Sequence, residues 1–505
     1  MGLRVNLPLA NLKEADVRTS RPYGVPIADR RNVAQVTIDM LPDIALLRIF
    51  DFLMYEEQIE VWHSLVHVCR KWRDIVFGSP RRLNLRLHCQ AKTPVREVLD
   101  VWPLLPIVVW SNGHRKWGED NIVAVLEHND RIRELGLFDF PISQLETVLV
   151  AMQRPFSTMT RLHLRSTLET APVDPNLFLG GSAPCLQTLN LERIPFPRLP
   201  KLLLSATNLV YLDLRRISLS GYISPEAMVT GLSVSNRLDK LVIGFESPRC
   251  RPDQEVQRLH QPTRIVLPVL TELRFFGVSE YLEDFVARID TPLLKKLAIT
   301  FFHQLIFDTP QLTRFIIRTP KFEAHDEARV VFSDWDVSVT LPQTVDGALD
   351  LELGTSCRHS DWQLSSLSQI CSNSFPQALM SAVEHLFIVG DGFSRLHWQD
   401  DIENSQWLEL FHTFSAVKSL YISSEFTPRI APALQELVGE RGTGLLPALR
   451  SLLLEDLLPS GPVHEIIGHF AAARQLGSYP VAVSRWERTY SHPPLETAKL
   501  NWGSE

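Results

Sequence analysis

The chain has 505 residues, of which 45% are apolar and 22% charged, and its formal charge is −7. That is the composition of a folded protein long enough for more than one structural unit, and the charge is too weak to argue for or against a polyanionic partner. Six scattered cysteines without a Cys-x-x-Cys pair, no signal-peptide layout and no run of about 18 apolar residues point to a soluble protein of a reducing, intracellular compartment.

Residues 1–37 mix charges and prolines with few periodic apolar positions and are expected to form a mobile lead-in. Order is expected from near Asp39. In "LPDIALLRIFDFL" (41–53), Pro42 suits a first helical turn. At 100° per residue, Phe52, Ala45, Ile49, Leu53, Leu46 and Phe50 form one apolar arc, with Ile44 and Leu47 outside it among the charges. "VWHSLVHVCRKWRDIVF" (61–77) sets Trp62, Leu65, Cys69, Trp72 and Val76 at spacings of 3, 4, 3 and 4, a second amphipathic helix that "GSP" ends. Two short helices cannot bury this much apolar surface alone, so the rest of the chain or a partner must cover it. The helices define a unit over 38–83, and 84–120 reads as a connecting segment.

Beyond residue 120 a leucine-xx-leucine-x-leucine pattern recurs ten times. The copies are "MTRLHL" (159–164), "LQTLNL" (186–191), "LVYLDL" (209–214), "LDKLVI" (238–243), "LTELRF" (270–275), "LKKLAI" (294–299), "LTRFII" (312–317), "VEHLFI" (383–388), "VKSLYI" (417–422) and "LRSLLL" (449–454). Their fourth positions lie 27, 23, 29, 32, 24 and 18 residues apart through the first seven copies, and the last two intervals are 34 and 32. Each copy supplies a short strand with alternate residues inward, and the units stack because none buries its apolar side alone. A solenoid over 121–484 is therefore predicted, with "ARVVFSD" and "ALDLELG" as two degenerate copies in the hard-to-phase stretch 318–382, and a frayed tail over 485–505. Ile194 and Ile217 stand where an asparagine ladder would follow the strand.

No catalytic constellation is found. "HEIIGH" (464–469) spaces its histidines five apart, not four, and "HSLVH" (63–67) has no third ligand nearby. "RGTGLLP" lacks the lysine of a phosphate loop, and Cys69 sits in a helical pattern among apolar neighbours. No cofactor or metal is expected. Between Arg70 and Arg96 lie eight Lys/Arg and one acid, Asp74, which reads as a solvated rim or as a steering patch for an acidic assembly; nucleic-acid binding is the third and least favoured reading, since the aromatics there form no regular stacking pattern.

The stretch from Leu41 to about Arg82 resembles an F-box: "LPDIALLRIFDFL" matches the family's opening Leu-Pro and apolar ladder, and "VHVCRKWRDIV" its closing Val-Cys-Arg-x-Trp segment. Most of 39–487 is similar to the F-box proteins of mushroom-forming fungi, through "WHSLVHVCRKWRDIVFGSPRRLNLRLHCQAKTPVREVLDVWPLLPIVV" and "FAAARQLGSYPVAVSRWER", and the repeats resemble the leucine-rich repeats many F-box proteins carry. The resemblance implies an α/β chain in which a small helical F-box precedes an irregular solenoid of parallel strands. It implies a non-catalytic substrate receptor of an SCF-type cullin ubiquitin ligase, cytoplasmic or nuclear. The F-box would dock a Skp-family adaptor through Leu41, Pro42, Leu46, Ile49, Leu53, Val68, Cys69 and Trp72. Substrate would meet outward strand residues, by alternation Tyr211, Asp213, Arg215, Glu272, Arg274, Phe276, Arg314, Ile316, Arg318, His385 and Phe387. The alternative is a scaffolding repeat protein whose N-terminal helices pack on the solenoid and recruit no ligase.

Overall fold

A computed structural model describes residues 40–53, 65–78, 84–87, 89, 95–101, 104–110, 118–140, 142–167, 178–196, 198–250, 264–304, 306–342, 350–357, 360–392, 404–437, 445–455, 460–477 and 479–487. The predicted lead-in and most of the predicted tail lie outside the described residues. The chain divides into two compact units, Met1–Val76 and Phe77–Glu505.

In the first unit, helix α1 (Asp43–Leu53) begins just after Pro42, as predicted. The second predicted helix is broken: residues 65–68 are helical, Cys69 interrupts, and α2 runs Arg70–Gly78. The break has a local cause. Cys69 caps α2, its Sγ accepting the Trp72 amide at 3.4 Å while its carbonyl accepts the Arg73 amide at 3.1 Å. Leu46, Phe50, Leu65, Trp72 and Val76 are buried, with Phe50 and Trp72 in ring contact at 4.8 Å. The Lys71 ammonium donates to the Leu41 carbonyl at 3.0 Å and lies 3.7 Å from Asp43, tying α2 to the start of α1.

The second unit is built on one 16-stranded sheet. Its first eight strands run parallel in sequence order: β1 (Leu85–Leu87), β2 (Ile107–Trp110), β3 (Ile132–Phe140), β4 (Arg161–Ser166), β5 (Thr188–Glu192), β6 (Tyr211–Ile217), β7 (Lys240–Phe245) and, after the short β8 (Ile265–Val266) of a separate two-stranded sheet, β9 (Glu272–Gly277). β10 (Ile289–Asp290) pairs with β8, and β11 (Lys296–Phe302) continues the main sheet beside β9. Strands β1 and β2 fall in the stretch read as a connector, so the sheet begins before residue 121. The missed signal is plain alternation in "LRL" and a short buried run in "IVVW", neither of which carries the leucine triplet.

Nine of the ten repeat copies form strands, and the register explains their leucines. Leu162, Leu189, Leu212, Leu241, Leu273 and Leu297 stand side by side across β4 to β11, each at most 1% exposed. Stacking thus places each unit's leucine against its neighbours', which no single unit could do. Each repeat is also tied at its entry: the carbonyls of Thr160, Gln187, Val210, Asp239 and Thr271 each accept two successive amides from the next strand.

The tenth copy, "LTRFII", is a correction. It lies in a helix, α9 (Pro310–Arg318), preceded by α3 (Val95–Val101), α4 (Glu119–Leu126), α5 (Ile142–Ala151), α6 (Leu199–Leu203), α7 (Pro225–Leu232) and α8 (Ser279–Val286). Leu312, Phe315 and Ile316 are buried and Ile317 is exposed, a helical stripe rather than an alternation. Pro310 opens it at the first turn, and the Glu283 carboxylate of α8 accepts the Gln311 and Leu312 amides at 2.8 and 2.7 Å.

The stretch that resisted phasing is an inserted meander. β12 (Glu327–Phe332), β13 (Asp336–Pro342) and β14 (Asp350–Ser356) enter the sheet in reverse order: β14 lies parallel to β11, β13 is antiparallel to both neighbours, and β12 lies parallel to β15 (His385–Gly390). Helices α10 (Ser360–Asn373) and α11 (Gln377–Met380) lead to β15. Then α12 (Asn404–His412), β16 (Ser419–Ile422), α13 (Thr427–Glu436), β17 (Ser451–Leu454), α14 (Pro462–Leu476) and the edge strand β18 (Ala482–Arg485) complete the solenoid.

Candidate protein-interaction surfaces

The first candidate surface is on the helical unit. Its apolar arc is split. Leu46 and Phe50 are buried together with Leu47, while Ile49 is 38% exposed and Ile44 59%. Pro42, Ala45 and Ile49 share one side of α1 at spacings of three and four, and of these Pro42 and Ile49 are exposed. Val68, 55% exposed, precedes the Cys69 break. Among the expected docking residues, then, Pro42, Ile49 and Val68 are at the surface, Leu41 and Cys69 are half-buried, and Leu46 and Trp72 are core. The side chain of Leu53 lies outside the described residues. Of the basic run Arg70–Arg96, Lys71 is held as described, Arg73 donates to the Val66 carbonyl at 3.0 Å, and Arg96 forms a two-pronged pair with Glu127.

The second is the strand face opposite the leucine columns, and it falls into zones. From β4 to β9 the face is polar and internally paired. Asp213 is fully buried, accepting hydrogen bonds from Tyr211 Oη (2.7 Å), Arg215 Nε (2.8 Å) and Asn190 Nδ2 (3.4 Å). The Asp213 charge raises the Arg215 guanidinium against the opposing pull of burial. Glu272 accepts from Arg274 and lies 3.1 Å from Lys240. At the strand ends, Arg193 and Arg216 adopt positive φ (57° and 54°) and pair with Glu246 and Glu192. At one end of this zone Trp110, Phe138 and His163 cluster, with 4.4 Å between the Phe138 and His163 rings. Gly136 makes room for it, since a Cβ there would sit 2.5 Å from the Trp110 ring.

Toward β18 the face becomes aromatic. Phe387 and Tyr421 stack at 4.0 Å, Trp486 meets both edge-on, and Arg329 lies over Phe387 at 5.3 Å. Rings and an arginine presented together are the residue types that anchor protein interfaces.

The alternation reading thus places Tyr211, Arg215, Glu272, Arg274, His385 and Phe387 half-exposed on this face. It fails at five positions. Asp213 serves its neighbours from full burial, and Phe276 is buried against Phe302 at 4.6 Å. Arg314, Ile316 and Arg318 are on α9; Ile316 is buried, and Arg318 donates to the Val286 and Ile289 carbonyls. Tyr421 was missed because the outward residues of its repeat were not followed, Trp486 because it stands in the stretch 485–505 expected to be a frayed tail, and Arg329 because it lies in the unphased insertion.

His163 carries a testable pH dependence. Burial, and then the charges of Arg215 and Arg165, hold its imidazole down to about 4 from 6.5. Below 6.5 the unfolded chain takes up a proton that the folded chain refuses, so stability falls as pH drops toward 4. Urea titrations at pH 7 and pH 4.5 should differ by about 2–3 kcal/mol more in the wild type than in His163→Gln. Equal differences would show that His163 is not held neutral.

Among the described residues no group of three or more His, Cys, Asp or Glu is placed to hold a metal ion, and the exposed His464 and His469 are five apart on α14. Burial pushes the Cys89 thiol up to about 12 and that of Cys371 upward too, so neither is a ready nucleophile. No described helix is long and apolar enough to cross a membrane.

No protein-family model matches the chain, and no curated protein matches it. Among solved structures it is similar to the leucine-rich repeat-containing protein LegL7 from Legionella pneumophila, at 12% identity over 77% of this chain and 98% of that one, with a TM-score of 0.26.

Proposed function

We propose that the chain is a non-catalytic receptor that joins a protein partner, held by the solenoid, to a Skp-family adaptor held by α1 and α2, and through it to a cullin ubiquitin ligase. The observation that carries this reading is the division of α1. Its Leu46–Phe50 side is core, while Pro42 and Ile49 are apolar and exposed on another side of the helix. The F-box resemblance supplies an owner for that side. In this role the protein raises the effective concentration of a partner's lysines near a conjugating enzyme and makes or breaks no bond itself.

Co-purification with a Skp-family adaptor tests this. Ile49→Glu with Val68→Glu changes exposed positions and leaves the Phe50–Trp72 contact in place, so the fold should persist by circular dichroism. Adaptor recovery should fall by about 2 kcal/mol or more in affinity, roughly thirtyfold, as for loss of central anchors. The milder Leu41→Ala with Pro42→Ala should lose less. Equal recovery by wild type and the glutamate variant, or no adaptor with either, leaves the scaffolding reading.

A further inference from the structure

Helix α2 sends three successive side chains to three places. Consecutive helical residues point about 100° apart, so Lys71, Trp72 and Arg73 leave the helix in different directions. Lys71 reaches back to the entry of α1, where its ammonium donates to the Leu41 carbonyl at 3.0 Å and lies 3.7 Å from the Asp43 carboxylate. Trp72 enters the core against Phe50. Arg73 turns to the short helical stretch before the Cys69 break and donates from Nε to the Val66 carbonyl at 3.0 Å.

Both basic side chains thus hold backbone at a point where the helical ladder gives no support. The ladder of α1 starts at the Pro42 carbonyl, which accepts the Ala45 and Leu46 amides at 2.9 and 3.1 Å, so the Leu41 carbonyl lies outside it. Among the described residues, both polar contacts that join residues 41–43 to α2 end on Lys71. The second helix is interrupted at Cys69, and the Arg73 bond spans that interruption. Beside the two held carbonyls stand exposed apolar residues: Pro42 follows Leu41, and Val68, 55% exposed, stands two residues beyond Val66. Such contacts add little to global stability, since the Lys71 and Asp43 side chains are 37% and 69% exposed and Arg73 is exposed. Their effect is local. They restrict two short backbone segments, and a segment ordered beforehand need not be ordered on binding.

We infer that Lys71 and Arg73 are positioning residues of the adaptor surface: Lys71 sets Pro42 and Arg73 sets Val68, and neither is itself an anchor. The inference deepens the receptor reading and rests on it. It divides "KWR" (71–73) into one core residue between two backbone clamps. Two cations of the run from Arg70 to Arg96 therefore have a local duty that a count of charges does not show.

The test is a set of double-mutant cycles on the full chain, read as calorimetric affinity for a recombinant Skp-family adaptor. Lys71→Met and Arg73→Met should each weaken binding about fivefold while urea midpoints stay near the wild-type value. The Lys71→Met loss should shrink to about twofold or less in a Pro42→Ala background and stay whole in Val68→Ala, and Arg73→Met should show the reverse. Arg70→Met removes an exposed charge of the same helix, and its effect should add to both. Lys71→Arg keeps a donor and the charge and should recover most of the loss. Asp43→Asn withdraws only the ion pair and should reproduce a weaker form of the Lys71 pattern, even where Lys71→Met unfolds the helical unit. In the free chain, the Ala45 and Leu46 amides should exchange faster in Lys71→Met and not in Arg73→Met. Losses that add in every background would make the two cations direct contacts, and equal shrinkage in both backgrounds would make them general supports of the unit; either result overturns the assignment. Wild-type binding that is indifferent to both methionine variants overturns it as well and leaves the receptor reading standing. Absence of adaptor binding by the wild type ends both.

Discussion

Replacing Asp213 by alanine should cost about 3–5 kcal/mol of folding stability, the range for removing one partner of a buried ion pair. Asp213 has no exposed surface, and three donors converge on it from Asn190, Tyr211 and Arg215. Alanine would leave the Arg215 charge and the Tyr211 hydroxyl with no acceptor inside the network. Asp213→Asn keeps an acceptor of the same shape and should cost much less, about 1–2 kcal/mol. Guanidinium titrations of the three proteins test the order, and a loss below about 1 kcal/mol for alanine would show that water replaces the carboxylate at little cost. The functional consequence is indirect. Asp213 exposes no surface of its own, yet it fixes the orientation of Tyr211 and Arg215, the half-exposed donors on the strand face.

Trp407→Ala should be of similar size, about 3–5 kcal/mol, because the largest side chain buried on α12 would leave a cavity. Its indole lies against Phe332 of β12, Phe411 of its own helix and Phe426 before α13. It therefore pins the inserted meander to the repeats that follow. In a stacked array each unit leans chiefly on its neighbours, so the damage should stay local. Hydrogen exchange should accelerate in β12, β15 and α12–α13 while amides of β4 to β6 keep their protection. Uniform acceleration would mean that the sheet opens as a single cooperative body. Trp407→Phe, which fills most of the space, should lose roughly half as much.

The leucine pattern predicts the solenoid well because it records the inward half of each strand. Met159, Leu162 and Leu164 are all fully buried, as the triplet requires. It predicts the outward half less well. Alternation says which way Asp213 points but not that Tyr211 and Arg215 close over it, since that depends on neighbours drawn from the same strand and the next. "LTRFII" satisfies the triplet in helix or strand, and the deciding signals were Pro310 and an interval of 18 residues, too short for a strand plus a return. In "LPDIALLRIFDFL" the wheel found an apolar arc but not its division. Leu47, placed among the charges, is buried, and Ile49, placed at the arc's centre, is exposed, because α2 presents Trp72 on the Phe50 side.

The reversed meander obeys a rule of parity. "ARVVFSD" and "ALDLELG" do contribute parallel strands, β12 and β14, but a third strand of opposite direction stands between them. A parallel array can accept an up-and-down insertion only with an odd number of strands, because both outer strands must then point the host's way. Three is the smallest such number that adds a turn. A one-strand deletion here would confront β11 or β15 with a neighbour of the wrong sense, whereas adding a whole hairpin would not. The insertion is thus a place where the array can lengthen in steps of two without re-registering the leucines on either side, and the turn between β12 and β13 is where Trp335 stands.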